Sequence, residues 1–260
     1  MTSHRAWGRL NVALWRARVS TRMSPSTRAS DKPFLAVLAA TAVSLIVALQ
    51  VIFLKAPVEA SMGIVQKIFY FHVPAAYGMY IGAFVCFLGS AGYLARGTAR
   101  SDAFAKAGAE VAVTMGMMVL ITGPLWAAKA WGRYWTWDPR LTTSMLSVLV
   151  YVAYVVLRAF TGDGEAERKF AAALGVLGAA NLPIIHYSVQ KWGGQHPKVI
   201  STGGGGLRHP DMKLALTLGF VTFTLLAITL VWHRTRLHLL AGRVDDLEQE
   251  AIELGLAGDG

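Results

Sequence analysis

Residues 34–54 read FLAVLAATAVSLIVALQVIFL. The stretch decides the fold because its 21 residues carry no charge, and about twenty apolar residues in a helix cross roughly 30 Å of hydrocarbon. Backbone polar groups in lipid must satisfy one another, so the stretch is expected to be a helix. Five more runs of this kind follow, and they lie at 75–95, 109–128, 141–158, 170–188 and 213–233. We predict an all-α integral membrane protein, a bundle of six transmembrane helices.

The composition agrees with this prediction and excludes several functional classes. The chain has 260 residues, 54% of them hydrophobic and 15% charged, and its mean hydropathy is +0.44. Such values are typical of membrane proteins. Cys86 is the single cysteine, which excludes an intrachain disulfide, a cysteine-based zinc site and a Cys-x-x-Cys-His attachment site. The sequence has no Gly-x-x-x-x-Gly-Lys-Ser/Thr motif, so the chain is not itself a P-loop ATPase, and no nucleic-acid partner is predicted.

Lys and Arg residues in the connections predict the orientation. The N-terminal segment and the connections on its side contain 16 of them, whereas the connections on the other side contain 8. This excess places both termini in the cytoplasm. We divide the chain into a basic cytoplasmic segment 1–33, a membrane domain 34–235 and a cytoplasmic tail 236–260, which its apolar spacing predicts to be a short helix. For residues 1–30, an organelle transit peptide is the alternative to a basic cytoplasmic segment, and a misassigned start upstream of Met23 would lengthen that segment.

The histidines can be sorted by depth. His72, in FYFHVPAAYG, is predicted to lie just before a helix that starts at Pro74. His196, in KWGGQHPK, lies in the outer connection before the last span, and His186, in NLPIIHYS, lies near the outer end of the fifth span. Because buried histidines normally find a hydrogen-bond partner, a structural role is favoured for His186. The histidines of the inner side are expected to have no specific role, and they are His4, His233 and His238.

Residues 131–142, WGRYWTWDPRLT, belong to the outer connection between spans three and four, a loop at 126–142. Three tryptophans, a tyrosine, two arginines and an aspartate fall within these twelve residues, and Trp126 lies five residues upstream. An aromatic belt at the membrane interface explains the tryptophans taken alone. It does not require glycine, aspartate and arginine at fixed places between the rings. Flat apolar rings, outer cations and imidazoles together suit haem, which has a flat macrocycle, two propionates and an iron that takes axial histidine.

WGRYWTWD resembles the tryptophan-rich (WWD) signature of the haem-handling proteins of cytochrome c biogenesis. FHVPAA, WDPRLT and NLPIIHYSV are further similar to the small six-helix members, the haem exporter protein C (CcmC) family, from about residue 34 to 235. Tyr134 stands where many relatives have another tryptophan. The resemblance implies a protein of the bacterial inner membrane, not an enzyme, that binds haem b transiently on its periplasmic face.

The resemblance also implies roles for particular residues. His72 and His196 are the implied axial ligands of the haem iron, with His186 as a rival ligand or a neighbour of the ligands. The tryptophan-rich loop would cradle the porphyrin, and Arg133 and Arg140 would pair with the propionates. The residues predicted to bind the cofactor are Trp126, Trp131, Arg133, Tyr134, Trp135, Trp137, Asp138 and Arg140.

The implied partners are the periplasmic haem chaperone CcmE, the ATP-binding cassette subunits CcmA and CcmB, the small membrane protein CcmD, and membrane lipid. Two other functions stay open. A b-type cytochrome that exchanges electrons with quinone would bury histidine ligands between facing helices, whereas a permease would line its path with polar residues. Asn181 and Gln50 are nearly the only strongly polar mid-span residues in the sequence, which argues against a wide aqueous path.

Overall fold

The computed structural model describes residues 31–161, 164–196 and 207–254. Within that part of the chain, six helices are long and apolar enough to span a membrane, which confirms the predicted fold class. We number them α1 to α6. Their bounds are Lys32–Gln50, Phe69–Arg96, Ala99–Trp131, Pro139–Phe160, Glu165–Trp192 and Pro210–Glu253. Most of the basic segment (residues 1–30) and the glycine run 203–206 lie outside the described residues.

Successive helices alternate in direction, so the connections gather at two ends of the bundle. The connections at 56–63, 132–138 and 193–196 lie at one end, which we name the tryptophan end. The short connection at 97–98 lies at the opposite end. The residues predicted to bind a cofactor therefore share one end of the molecule with His72 and His196.

Glycines bring α2 and α3 into close contact. At Gly82, Gly89 and Gly108 an added Cβ would lie closer than 3.0 Å to the backbone of the other helix. Such small residues let helix backbones approach in lipid, where burial of apolar surface does not drive helices together. The α2–α3 pair holds the N-terminal part of α2, with His72, beside the C-terminal part of α3.

A buried lysine holds the end of α1. The helix continues into a wider π-helical turn, Val51–Lys55, which leaves carbonyl groups without helical partners. The Lys67 ammonium is buried and donates to the carbonyls of Ile52 at 2.7 Å, Ala56 at 3.2 Å and Phe53 at 3.3 Å. A cation at a helix C-terminus is favoured by the helix dipole. Lys67 thus connects the end of α1 to the start of α2.

The helices extend beyond the predicted apolar runs because capping residues, not hydropathy, set their ends. Gly97 ends α2 in the left-handed conformation, with φ of 63°. Thr98 then caps α3, since its Oγ1 accepts a hydrogen bond from the Ser101 N–H at 3.2 Å. The helix α3 therefore begins ten residues before the predicted run at 109–128.

The start of α2 corrects the prediction for His72. A 3-10 turn, Ile64–Ile68, runs directly into α2, so His72 and Pro74 both lie inside the helix and Pro74 does not start it. Proline lacks the N–H that would bond the Tyr70 carbonyl. That carbonyl packs against Gly219 of α6, where an added Cβ would lie 2.8 Å from the Tyr70 oxygen. The Tyr70 carbonyl, which lacks its helical donor, thus lies against the small Gly219 of α6.

The structure also differs from the expected separate helix in the tail. Residues 236–253 continue α6 without a break, so one helix of 44 residues runs from Pro210 to Glu253. Gly242 lies inside it with nothing near its Cβ position. A single glycine in a helix costs only about 1 kcal/mol relative to alanine, which is too little to end a helix of this length.

Buried charges at the opposite end were not predicted, because hydropathy shows only the apolar runs. The Asp102 carboxylate is buried, and its Oδ2 lies 3.0 Å from Nη2 of the buried Arg158. Lys106 and Arg168 lie at 3.8 and 3.9 Å from the same oxygen. Asp102 lies in the first turn of α3 and Arg158 in the last turn of α4, so these charges do not bear on the expectation that Asn181 and Gln50 are nearly the only strongly polar mid-span residues.

His238 is engaged on the same side, contrary to the expectation that it has no specific role. Its Nε2 lies 3.1 Å from Oε1 of Glu110, and Arg234 Nη2 donates to the same oxygen at 2.6 Å. His233 stacks on Phe34 with ring centroids 6.0 Å apart. These contacts join α6 to α3 and to the start of α1.

Candidate functional site

His72 lies in the first turns of α2 and contacts α3. Its Nδ1 lies 2.9 Å from Oγ1 of Thr122, and that hydroxyl donates its hydrogen to the Met118 carbonyl at 2.6 Å. A hydroxyl has one hydrogen, so the Thr122 oxygen accepts from His72 Nδ1. The neutral His72 imidazole thus carries its proton on Nδ1 and has a lone pair on Nε2, the form that binds a metal.

The residue after Thr122 makes room for the His72 ring. At Gly123 an added Cβ would lie 3.1 Å from Cε1 of His72 and 3.8 Å from its Nδ1. A side chain there would press on the imidazole, so the pair Thr122 and Gly123 fixes both the hydrogen bond and the position of the ring.

Asp138 joins the tryptophan-rich loop to the segment that carries His196. Its Oδ1 accepts from the Arg140 N–H at 2.8 Å and caps α4. Its Oδ2 accepts from the backbone N–H groups of Gln195 at 2.6 Å and His196 at 3.4 Å. Gly194 packs against this carboxylate with φ of 144°, a conformation that favours glycine. A buried carboxylate thus sets the position of His196 relative to the loop.

Arg140 stands between two of the candidate histidines. Its Nη2 donates to the His186 carbonyl at 3.0 Å, and its Nη1 lies 3.5 Å from Nδ1 of His196. Its Nε is buried and has no hydrogen-bond partner among the described residues. The tryptophan end therefore brings His196 and the His186 carbonyl to one guanidinium with an unused donor.

The aromatic rings of the loop form two perpendicular pairs. Trp126 and Trp131 meet edge to face with centroids 5.7 Å apart, and Trp135 and Trp137 do so at 5.8 Å. Aromatic pairs favour this arrangement because the positive edge of one ring meets the negative face of the other. Single faces, not one continuous plane, are available to a planar ligand.

An open cleft of about 340 Å³ adjoins Asp138, and sequence reasoning missed most of its wall. Trp137 lines one part and is 75% exposed, and Trp192 at the end of α5 is 64% exposed. The remaining lining residues are Arg133, Thr136, Asp138, Pro139, Gly193, Gly194 and Gln195. The sequence signal for Trp192 was its place next to Gly193 and Gly194 in the segment that carries His196.

His186 is not buried, which corrects the premise of its predicted structural role. Its side chain is exposed, and its ring meets Tyr187 edge to face at 4.9 Å. The carbonyl of His186, not its imidazole, contacts the site through Arg140. Arg133 and Tyr134 are exposed in the loop.

Two acidic residues near the site accept hydrogen bonds from neighbouring groups. The outer connections contain eight basic and three acidic residues. Glu59 accepts hydrogen bonds from the backbone of Met62 and from the hydroxyl and backbone of Ser61, and these bonds hold the pKa of its carboxyl below the ordinary value. Asp138 is occupied by the three N–H groups described above. The Glu59 and Asp138 carboxylates are thus satisfied by neighbouring N–H and O–H groups.

The geometry defines a class of protein: a polytopic helical membrane protein with imidazoles, arginine and exposed tryptophans gathered at one end. Comparison with known proteins is more specific. The sequence model of the heme exporter protein C family matches residues 19–250. The chain belongs to this family.

Several curated relatives carry the name heme exporter protein C. The protein of Bradyrhizobium diazoefficiens is 34% identical over 195 residues, 74% of this chain and 74% of the relative. That of Escherichia coli K12 is 33% identical over 70% of this chain and 73% of its own length. That of Rhodobacter capsulatus is 32% identical over 82% of this chain and 89% of its own length.

Proposed function

We propose that the chain binds haem at the tryptophan end and presents it for cytochrome c maturation. His72 and His196 are the axial ligands of the iron, and the exposed faces of Trp131, Trp135 and Trp137 hold the macrocycle. The observation that carries the proposal is the contact of His196 with Arg140, whose buried Nε has no partner in the described chain, at the end of the bundle that also holds His72.

The donor chemistry fits haem. Nε2 of His72 carries a free lone pair, and an imidazole nitrogen in this state can coordinate iron. A carboxylate at Arg140 would satisfy its orphaned Nε, and Arg133 is a second cation at the cleft. Trp126, Tyr134 and Asp138 complete the predicted site, with Asp138 acting through the loop that it holds.

The proposed role is presentation rather than bond-making, so the chain is a component of haem export and not an enzyme. The tryptophan end faces the periplasm, and the protein lies in the bacterial inner membrane. Haem b is bound transiently and passes to the chaperone CcmE, which docks on its exposed edge. CcmA and CcmB supply ATP hydrolysis that releases the loaded chaperone, and CcmD belongs to the same complex.

Histidine variants test the proposal. The full chain is purified with and without the chaperone, and haem absorbance and chaperone loading are measured together. We expect His72→Ala and His196→Ala each to lose most bound haem and most chaperone loading. His186→Ala is the matched control, because its ring is exposed and contacts Tyr187 rather than Arg140. Unchanged haem content and chaperone loading in the first two variants would contradict the ligand assignment.

A further inference from the structure

We propose that Thr122 is a positioning residue that fixes the tautomer of His72 and thereby makes Nε2 the iron ligand. The proposal rests on the proposed function, since it concerns one of the two ligands. It adds a residue fifty positions away in the chain that the sequence did not single out.

The hydrogen-bond chain has a fixed direction. It runs from His72 Nδ1 to Thr122 Oγ1 at 2.9 Å and on to the Met118 carbonyl at 2.6 Å. A backbone carbonyl can only accept, so the Thr122 hydrogen is committed to it and the imidazole must donate. Histidines that bind metals in general donate their second ring N–H to such an acceptor, which orients the ring and raises its basicity as a ligand. The Thr122 hydroxyl thus links the His72 N–H to a backbone carbonyl of α3.

His196 is set differently, which makes the role of Thr122 specific to His72. A guanidinium can only donate, so the Arg140 contact at 3.5 Å meets a lone pair on Nδ1 of His196. The Arg140 contact therefore provides no acceptor for a ring N–H of His196, whereas Thr122 provides one for His72.

Gly123 supports the same arrangement from the neighbouring position. The Cε1 atom of His72 lies 3.1 Å from where a Cβ would stand at Gly123. This space is tighter than ordinary van der Waals contact, so Gly123→Ala would require the His72 ring to shift by a few tenths of an ångström. The Thr122 hydroxyl bonds the His72 ring, and Gly123, the next residue of α3, leaves room for it.

The test uses purified full-length protein and hemin titrated in detergent, with absorbance as the readout of affinity. Thr122→Val removes the hydroxyl while keeping the shape of the side chain, and Thr122→Ser keeps the hydroxyl. We expect Val to weaken hemin binding about 10- to 100-fold, as loss of such an outer partner does at other metal sites. Thr122→Ser should bind hemin with an affinity within about threefold of the wild type. Thr122→Ala tests the same hydroxyl if valine packs poorly.

A matched control separates the His72 contact from the fold of α3. Thr114 lies on the same helix and makes the same bond, from its hydroxyl to the Glu110 carbonyl at 2.8 Å, but it is exposed. Thr114→Val should leave hemin affinity unchanged. The reduction potential of bound haem supplies a readout that a purely structural role would not move. We expect it to rise in Thr122→Val, because a less basic imidazole stabilises the ferric iron less.

The outcomes distinguish the two proposals. If His72→Ala loses hemin but Thr122→Val and Thr122→Ala match Thr114→Val in affinity and potential, the positioning role is wrong and the ligand assignment stands. If His72→Ala binds hemin like the wild type, the ligand assignment fails, and the role of Thr122 fails with it.

Discussion

The Asp138 carboxylate connects the tryptophan-rich loop to the segment that carries His196, and Asp138→Asn tests this connection. Asparagine caps helices as well as aspartate does, so its carbonyl oxygen can still accept from the Arg140 N–H. Its amide group cannot accept from the Gln195 and His196 N–H groups, which now bond Oδ2. The substitution therefore removes the contact between the loops and keeps the cap.

The magnitude follows from the bonds lost. The Gln195 bond, at 2.6 Å, is short and charge-assisted, and such a bond contributes about 1.5–3 kcal/mol. The His196 bond is long, at 3.4 Å, and adds little. If the bond holds His196 in its binding position, losing it weakens haem binding about 10- to 100-fold. Asp138→Ala also loses the cap, about 1 kcal/mol more, so the stability order is wild type, Asn, Ala.

The assay is hemin titration together with thermal unfolding of the purified protein. Thr98→Ala is the control, because Thr98 caps α3 at the opposite end and has no contact with the tryptophan end. It should lower the melting temperature slightly and leave hemin affinity unchanged. Equal hemin affinities for Asp138→Asn and Thr98→Ala would refute the reasoning that Asp138 positions His196.

Three further predictions concern the bundle, and thermal unfolding in detergent measures each of them. Asp102→Asn leaves the buried Arg158 guanidinium without its carboxylate, which costs about 3 kcal/mol or more and should lower the melting temperature by at least about 6 °C; an unchanged value would contradict a buried ion pair. Gly108→Ala forces α2 and α3 apart and should cost about 1–3 kcal/mol, whereas Gly242→Ala, with open space around it, should be neutral or stabilising by up to about 1 kcal/mol. Lys67→Met leaves the carbonyl groups at the end of α1 without their donor. It should lower the free energy of unfolding by about 2 kcal/mol and speed proteolysis in residues 56–63. Protection from proteolysis equal to that of the wild type would exclude the capping role.

The sequence predicted the number of helices because hydropathy reports directly on the transfer of a segment into lipid. It could not predict where the helices end. Thr98 and Gly97 decide the boundary between α2 and α3 through backbone hydrogen bonds and a left-handed conformation, neither of which changes hydropathy. The apolar spacing of the tail predicted a short helix, yet the backbone of α6 continues into the tail without a break.

The candidate site was predictable in its residue types and not in its contacts. The tryptophans stand out because they are dense in residues 131–142 and are interspersed with glycine, aspartate and arginine, and His72 and His196 stand out because they fall on the same outer side. Thr122 looks like any other threonine of an apolar helix, and its relation to His72 depends on the packing of α2 on α3. The perpendicular ring pairs likewise follow from the path of the loop and not from the spacing of the tryptophans.

The most direct test of the central claim is the spin state of the iron in the haem-loaded protein, measured by low-temperature electron paramagnetic resonance of the ferric form. Two axial imidazoles should give a six-coordinate low-spin signal. Loss of either ligand, in His72→Ala or His196→Ala, should convert the remaining haem to high spin. A low-spin signal that persists in both variants would contradict ligation of the iron by this pair of histidines.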